Sequence, residues 1–366
     1  MNVLPLAHWL TYTIDVNTLF DNQLSQISRR EFLKLTSAGM LAVLFSAFLP
    51  EAIPVKAGDP TQRLGRILND AVGVYEKPSF NSSFIKMLYK DVIVQINDIT
   101  VGEDEPTYNR IWYYIDKIGY AHSGWIQPVQ INPNPIASSI PTDGQLAELT
   151  VPYSDTYKDV EKRDKVMYRI YYSSVFWVHD IVRSSDGKCW YKVWDDKFKF
   201  YVHADATHLR LIPPGELLSS APEVPENIKK IQVNRPEQVL IAYQDNEPVF
   251  MTRTATGARF MDGNFTTPAG KYILNRKRPT RHMADGDLAA PKTYDLPGVP
   301  WVTYLTKRGI AIHGTYWHND FGKPRSHGCI NVSCEASKWL YLWTSPAVPP
   351  NEDYWSEDIG TVLDVV

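Results

Sequence analysis

The sequence predicts a mostly β protein, on three observations. Short runs of alternating apolar and polar residues recur, bounded by Gly, Asp, Asn, Ser and Pro clusters, as at 71–75, 91–95 and 174–178. Aromatic residues reach 12%, with 21 Tyr and 11 Trp, which suits sheets whose rings pack across strands. One stretch alone, from Cys334 or Glu335 through Trp343, reads as a helix, with Ser333 as its cap and Glu335 in its first turn. The 366 residues, 44% hydrophobic and 22% charged, are enough for two or three folded domains. A net charge of -3 argues against a general nucleic-acid binder.

Residues 1–57 read as a targeting segment. Ser28-Arg29-Arg30-Glu31-Phe32-Leu33-Lys34 is a twin-arginine motif, followed by an apolar run at 35–49. Val55-Lys56-Ala57 places small residues at the −3 and −1 positions of a cleavage site. The apolar run is short of the ~20 residues a permanent span needs. The expectation is export by the twin-arginine machinery to the cell wall or periplasm, with a membrane anchor if the signal is kept. Residues 1–27 have no physical account.

Two segments of similar rhythm follow, at 62–130 and 148–212. The first ends Ile111-Trp112-Tyr113-Tyr114-Ile115, then Gly124-Trp125-Ile126; the second ends Trp190-Tyr191-Lys192-Val193, then Phe200-Tyr201-Val202. Pro-rich connectors at 131–141 and 213–225 separate them from each other and from a third domain at 228–366. In that domain strands are expected at 230–233, 239–244, 249–254, 270–274, 302–304 and 310–313, before the helix.

The chemistry concentrates in the third domain. Ile312-His313-Gly314-Thr315 precedes Ser326-His327-Gly328-Cys329-Ile330-Asn331, in a chain with 3 Cys. A cysteine thiol is mostly protonated at neutral pH, and a neighbouring imidazole can take its proton to give a nucleophilic thiolate. Gly328 permits a tight turn whose N–H groups, Gly328 and Cys329, can face an oxyanion. His313 ends an apolar strand whose alternation aims it into the cleft, which makes it the expected base. A zinc set of His313, His318, His327, Cys329 and Cys334 is the metal alternative, but its spacing matches no common zinc template. No metal or cofactor is expected.

These runs resemble the L,D-transpeptidase (YkuD-type) family. Upstream, Thr267-Pro268-Ala269-Gly270-Lys271-Tyr272 is similar to that family's T-P-x-G-x-[FY] run. The resemblance covers 228–366 and implies a β-sandwich catalytic domain, while 62–130 and 148–212 resemble bacterial SH3-like barrels. It implies that Cys329 is the nucleophile and His313 the base, oriented by the Gly314 carbonyl. His327 and Gly328 then shape the catalytic turn. Tyr304, Ser326, Arg325 and Asn331 are the expected substrate-binding residues: Tyr304 through its hydroxyl at the oxyanion, Arg325 on a stem-peptide carboxylate or facing solvent. His318, in the variable stretch, is expected at the surface.

The implied substrates are peptidoglycan stem peptides, joined through a thioester, and the implied inhibitors are carbapenem β-lactams. The alternatives are an L,D-carboxypeptidase, a wall-protein anchoring enzyme of the same fold, or a non-catalytic cell-wall-binding protein. The acceptor is left open by the sequence.

Overall fold

Side chains that alternate between buried and exposed build three main sheets in the computed structural model, which describes residues 63–102, 105–261, 263–285 and 294–366. These residues fall within one compact unit, Lys56–Val366. The signal expected at 1–57 lies outside the described residues, and among those described no helix is long and apolar enough to cross a membrane. The mostly β expectation holds.

The first sheet has seven strands in the order Phe84–Tyr89, Ala71–Tyr75, Gly119–His122, Ile111–Ile115, Ile93–Val101, Leu64–Ile67, Ile126–Val129. Its core is Ile67, Val72, Val74, Val94, Ile115 and Ile126. The second has five, in the order Phe200–Asp205, Cys189–Asp195, Val175–Arg183, Gln145–Leu149, Leu209–Leu211, around Leu149, Val178, Tyr191 and Val202.

The third sheet has eight strands: Glu247–Arg253, Val239–Gln244, Lys229–Asn234, Trp355–Val365, Gly270–Asp285, Tyr294–Tyr304, Ala311–Gly314, Ile330–Val332. Two neighbouring pairs are parallel, Lys229–Asn234 with Trp355–Val365 and Ala311–Gly314 with Ile330–Val332. The helix Cys334–Trp343 lies against one face, burying Ala336, Leu340 and Trp343 on Ile231, Leu274, Ile312 and Ile330. Ser333 caps its start by accepting the Ala336 N–H at 3.1 Å.

Its other end is held by two lysines. Lys277 is fully buried and donates from Nζ to the Tyr341, Thr344 and Pro346 carbonyls at 2.8, 2.6 and 2.7 Å. Lys229 donates to the Trp343 carbonyl at 3.0 Å. Carbonyls at a helix C-terminus lack intrahelical partners and carry partial negative charge, so an amine there satisfies both demands. Burial lowers the pKa of each lysine.

Side chains also join the sheets. Asp91, in a turn of the first, meets Arg66 at 2.8 Å and, at 3.1 Å, Arg169 of the two-stranded ribbon Tyr153–Asp155 with Arg169–Tyr171. His282, on the third, stands between Asp195 of the second, at 2.8 Å, and Asp295. Burial lowers the His282 pKa, but the two carboxylates outweigh it and raise it to about 9. Gly298, with φ +69°, lies under Phe176; an added Cβ would come within 2.2 Å of that ring.

Candidate active site

Three strand ends converge at the site. Tyr304 pairs with Ala311 across the antiparallel pair, and His313 pairs with Asn331 across the parallel one. Alternation then puts Ala311, His313 and Asn331 on one face and sends Ile312 and Ile330 into the helix-covered core. Cys329 immediately precedes the strand Ile330–Val332, two residues before Asn331, so it belongs to the face of His313. It packs on Val299, Val302 and Ala311, alongside Tyr304 and Trp317.

His313 is 2% exposed. Its Nδ1 donates to the Gly314 carbonyl at 3.0 Å, which leaves Nε2 as the proton acceptor. Gly314 has no room for a side chain: a Cβ would meet Ser337 Oγ at 2.6 Å and Pro300 Cγ at 2.8 Å. Burial pulls the imidazole down to about 4. The Cys329 thiol is half-buried, with Sγ 3.8 Å from the Gly309 carbonyl oxygen. Burial pushes its pKa up, opposed by a backbone hydrogen bond at Ala311. Both shifts favour a neutral thiol beside a neutral imidazole. These directions run against the thiolate that the sequence suggested.

The turn is held from within. Gly328 has φ +118°, a conformation suited to glycine. Its N–H donates to Ser326 Oγ at 3.1 Å, and that hydroxyl donates to the Cys329 carbonyl at 2.5 Å. The Gly328 N–H is thus engaged and is not the free oxyanion donor expected from the sequence; Cys329 N–H is the remaining donor of that pair. Thr267, fully buried, donates to the Gly328 carbonyl and accepts the Gly257 N–H, both at 2.8 Å. The sequence marked Thr267 by its motif, without this role.

Several neighbours differ from expectation. His318 is 5% exposed rather than at the surface. Its Nδ1 accepts the Asp320 N–H at 3.3 Å, so Nε2 carries the proton, 3.0 Å from the Asn331 side-chain amide. That amide must turn its oxygen to the imidazole, which also gives a partner to an otherwise unpaired buried atom. Burial brings His318 down to about 3. Arg325 bonds Asp320 at 2.6 Å instead of standing free for a substrate carboxylate. Tyr304 is half-buried, and burial raises its hydroxyl pKa.

His327 is exposed, among aromatic rings that the sequence did not single out. Phe260 stacks on it at 4.8 Å, Phe265 meets it edge-on at 4.7 Å, and Tyr294 lies 5.9 Å away. The zinc set is not assembled: His318 uses both ring nitrogens within the protein and His313 uses Nδ1. Cys189 and Cys334 are unbridged.

The strand face, the oriented imidazole and the cysteine turn define a thiol site on a mostly β domain. Residues 228–354 match the YkuD family model, the L,D-transpeptidase catalytic domain. Among solved structures it is similar to an L,D-transpeptidase from Mycobacterium smegmatis, at 22% identity and TM-score 0.31, over 38% of this chain and 58% of that one. It thus spans little more than half the length of that relative. Mycobacterium tuberculosis L,D-transpeptidase 1 shares 19% identity over 38% and 61% of the two chains, with TM-score 0.28. The catalytic domain of the Enterococcus faecium L,D-transpeptidase acylated by ertapenem shares 22% over 38% and 96%, with TM-score 0.28. No curated protein matches the chain.

Proposed function

We propose that the chain is a peptidoglycan L,D-transpeptidase acting through Cys329. The carrying observation is the pairing of strands that sets the cysteine turn beside His313, whose Nδ1 is fixed on the Gly314 carbonyl. His313 Nε2 takes the thiol proton as sulfur attacks the carbonyl between an L-residue and a D-residue of a stem peptide. The imidazolium returns that proton to the departing amine, leaving a thioester and a free D-amino acid. An acceptor amine then attacks the thioester, His313 removes its extra proton, and the thiol is restored as a new amide forms. Cys329 N–H and the Tyr304 hydroxyl are the proposed oxyanion donors.

Incubation with a disaccharide-tetrapeptide tests this by mass spectrometry. A cross-linked dimer with release of one D-residue is expected. Tripeptide alone would make water the acceptor and the protein an L,D-carboxypeptidase; no product would leave a wall-binding protein. A carbapenem should add once, at Cys329, following the acylated Enterococcus faecium domain.

The site of action is proposed to be outside the cytoplasmic membrane. The twin-arginine run at 28–34 supports this, with a mature chain beginning near Gly58. Arg29→Lys with Arg30→Lys should leave the precursor inside the cell, as fractionation reads; normal export of that double variant would refute the targeting.

A further inference from the structure

The segment between His313 and Cys329 does not stand by itself. The first sheet grips it at three points. Arg66, 1% exposed, donates to the Tyr316 carbonyl at 2.8 Å. The Asn319 N–H donates to the Gly124 carbonyl at 3.1 Å, and its side-chain amide to the Ser123 and Ile126 carbonyls, each at 3.2 Å. The Tyr108 hydroxyl donates to Asp320 Oδ2 at 3.1 Å.

Asp320 is the hub of this grip. It is fully buried, and its Oδ2 also meets Lys323 at 3.0 Å and Arg325 at 2.6 Å. Burial raises its carboxyl pKa, but these partners outweigh that and lower it. Its backbone N–H fixes His318, and His318 fixes the Asn331 amide. Asn331 is two residues from the nucleophile and pairs with His313 in the ladder. Gly124 supplies the fit on the other side: a Cβ there would lie 2.6 Å from Asp320 Oδ1 and 2.9 Å from its Cβ.

We propose that the first β domain is a positioning element of the active site, acting through Asp320, His318 and Asn331 on the strand that carries Cys329. None of these groups need touch substrate. A rigid contact network of this length transmits displacement because packed interiors yield little, and about 1 Å of misplacement at a reacting atom can cost roughly a hundredfold in rate. The inference rests on the reading of Cys329 as the nucleophile, though not on which acyl donor or acceptor it uses.

The test uses the full chain and two substitutions in the first domain. Gly124→Ala drives a methyl into Asp320; Tyr108→Phe removes one hydroxyl and leaves the ring in place. Iodoacetamide alkylation of Cys329, followed by peptide mass spectrometry from pH 6 to 10, reports the thiol without any substrate. Gly124→Ala should shift the alkylation profile and slow it by about tenfold or more. It should lower kcat much more than it raises KM. Tyr108→Phe should shift both measures in the same direction by about two- to threefold. Phe84→Ser, on the exposed far strand of that sheet, should change neither. Should Gly124→Ala fail to fold, Tyr108→Phe decides alone. Profiles that superimpose on the parent for the folded variants would overturn the proposal. Shifted alkylation in a protein that gives no transfer product would uphold the positioning and reject the transpeptidase reading instead.

Discussion

Cys329→Ala is expected to lower acyl transfer by about 10⁴-fold or more, since the covalent route disappears with the nucleophile. The fold should survive. The thiol is half-buried, and its contacts are to backbone, a long one of 3.8 Å to the Gly309 carbonyl and a hydrogen bond at Ala311. The turn around it is fixed by Ser326 and Thr267, whose hydroxyls bond the backbone carbonyls of Cys329 and Gly328. Carbapenem addition, read by intact mass, should vanish with the activity. Cys189→Ala and Cys334→Ala should keep both. A Cys329→Ala protein retaining more than about a hundredth of the rate would place the nucleophile elsewhere.

His313→Gln should cost about 10²- to 10⁴-fold in kcat/KM, the usual worth of a positioned general base. The electrostatics fix the form of the pH dependence. Burial holds the His313 pKa at about 4, so the imidazole stays neutral and able to accept a proton until the solution is more acid than that. The thiol pKa is pushed above its ordinary value. Alkylation of Cys329 should therefore keep rising through pH 9 instead of reaching a plateau near neutrality. A plateau below pH 7 would reveal a resting thiolate–imidazolium pair and refute the neutral one. Stability follows by linkage. An unfolded chain protonates this histidine near ~6.5, so the folded state loses stability as pH falls from there through about 4.

The elements that could be read from sequence were those with simple patterns. The run 239–244 alternates cleanly and is a strand with the expected bounds. Helix Cys334–Trp343 announced itself through its serine cap and the spacing of Leu340 and Trp343. The hairpin of Gly270–Asp285 and Tyr294–Tyr304 was read much too short. Its middle, with Arg276, Lys277, Arg278, Pro279 and Arg281, looks like a solvated loop. Lys277 hides in the helix end and Arg281 is paired with Asp196, both long-range facts. Trp355–Val365 was missed because its first half is exposed and polar.

At the site, the His313–Gly314 contact and the glycine turn before Cys329 were legible because each joins neighbours in sequence. His318 and Arg325 were misread because their partners, Asp320 and Asn331, acquire meaning only when buried together. The ring cluster of Phe260, Phe265 and Tyr294 brings together residues far apart along the chain, with no local pattern to mark it.

The place of Trp355–Val365 in the third sheet constrains when this protein can fold. That strand lies between Lys229–Asn234 and Gly270–Asp285, pairing in parallel with one and antiparallel with the other. Without it the sheet has no pairing between its two parts, and Lys229–Asn234 and Gly270–Asp285 would each be an open edge able to pair with another chain. Cys329 and its partners are synthesised earlier, yet the scaffold beneath them closes only when this late strand arrives. Any translation product that stops before Trp355 carries Cys329 and His313 and lacks the seam that joins the two parts of the sheet.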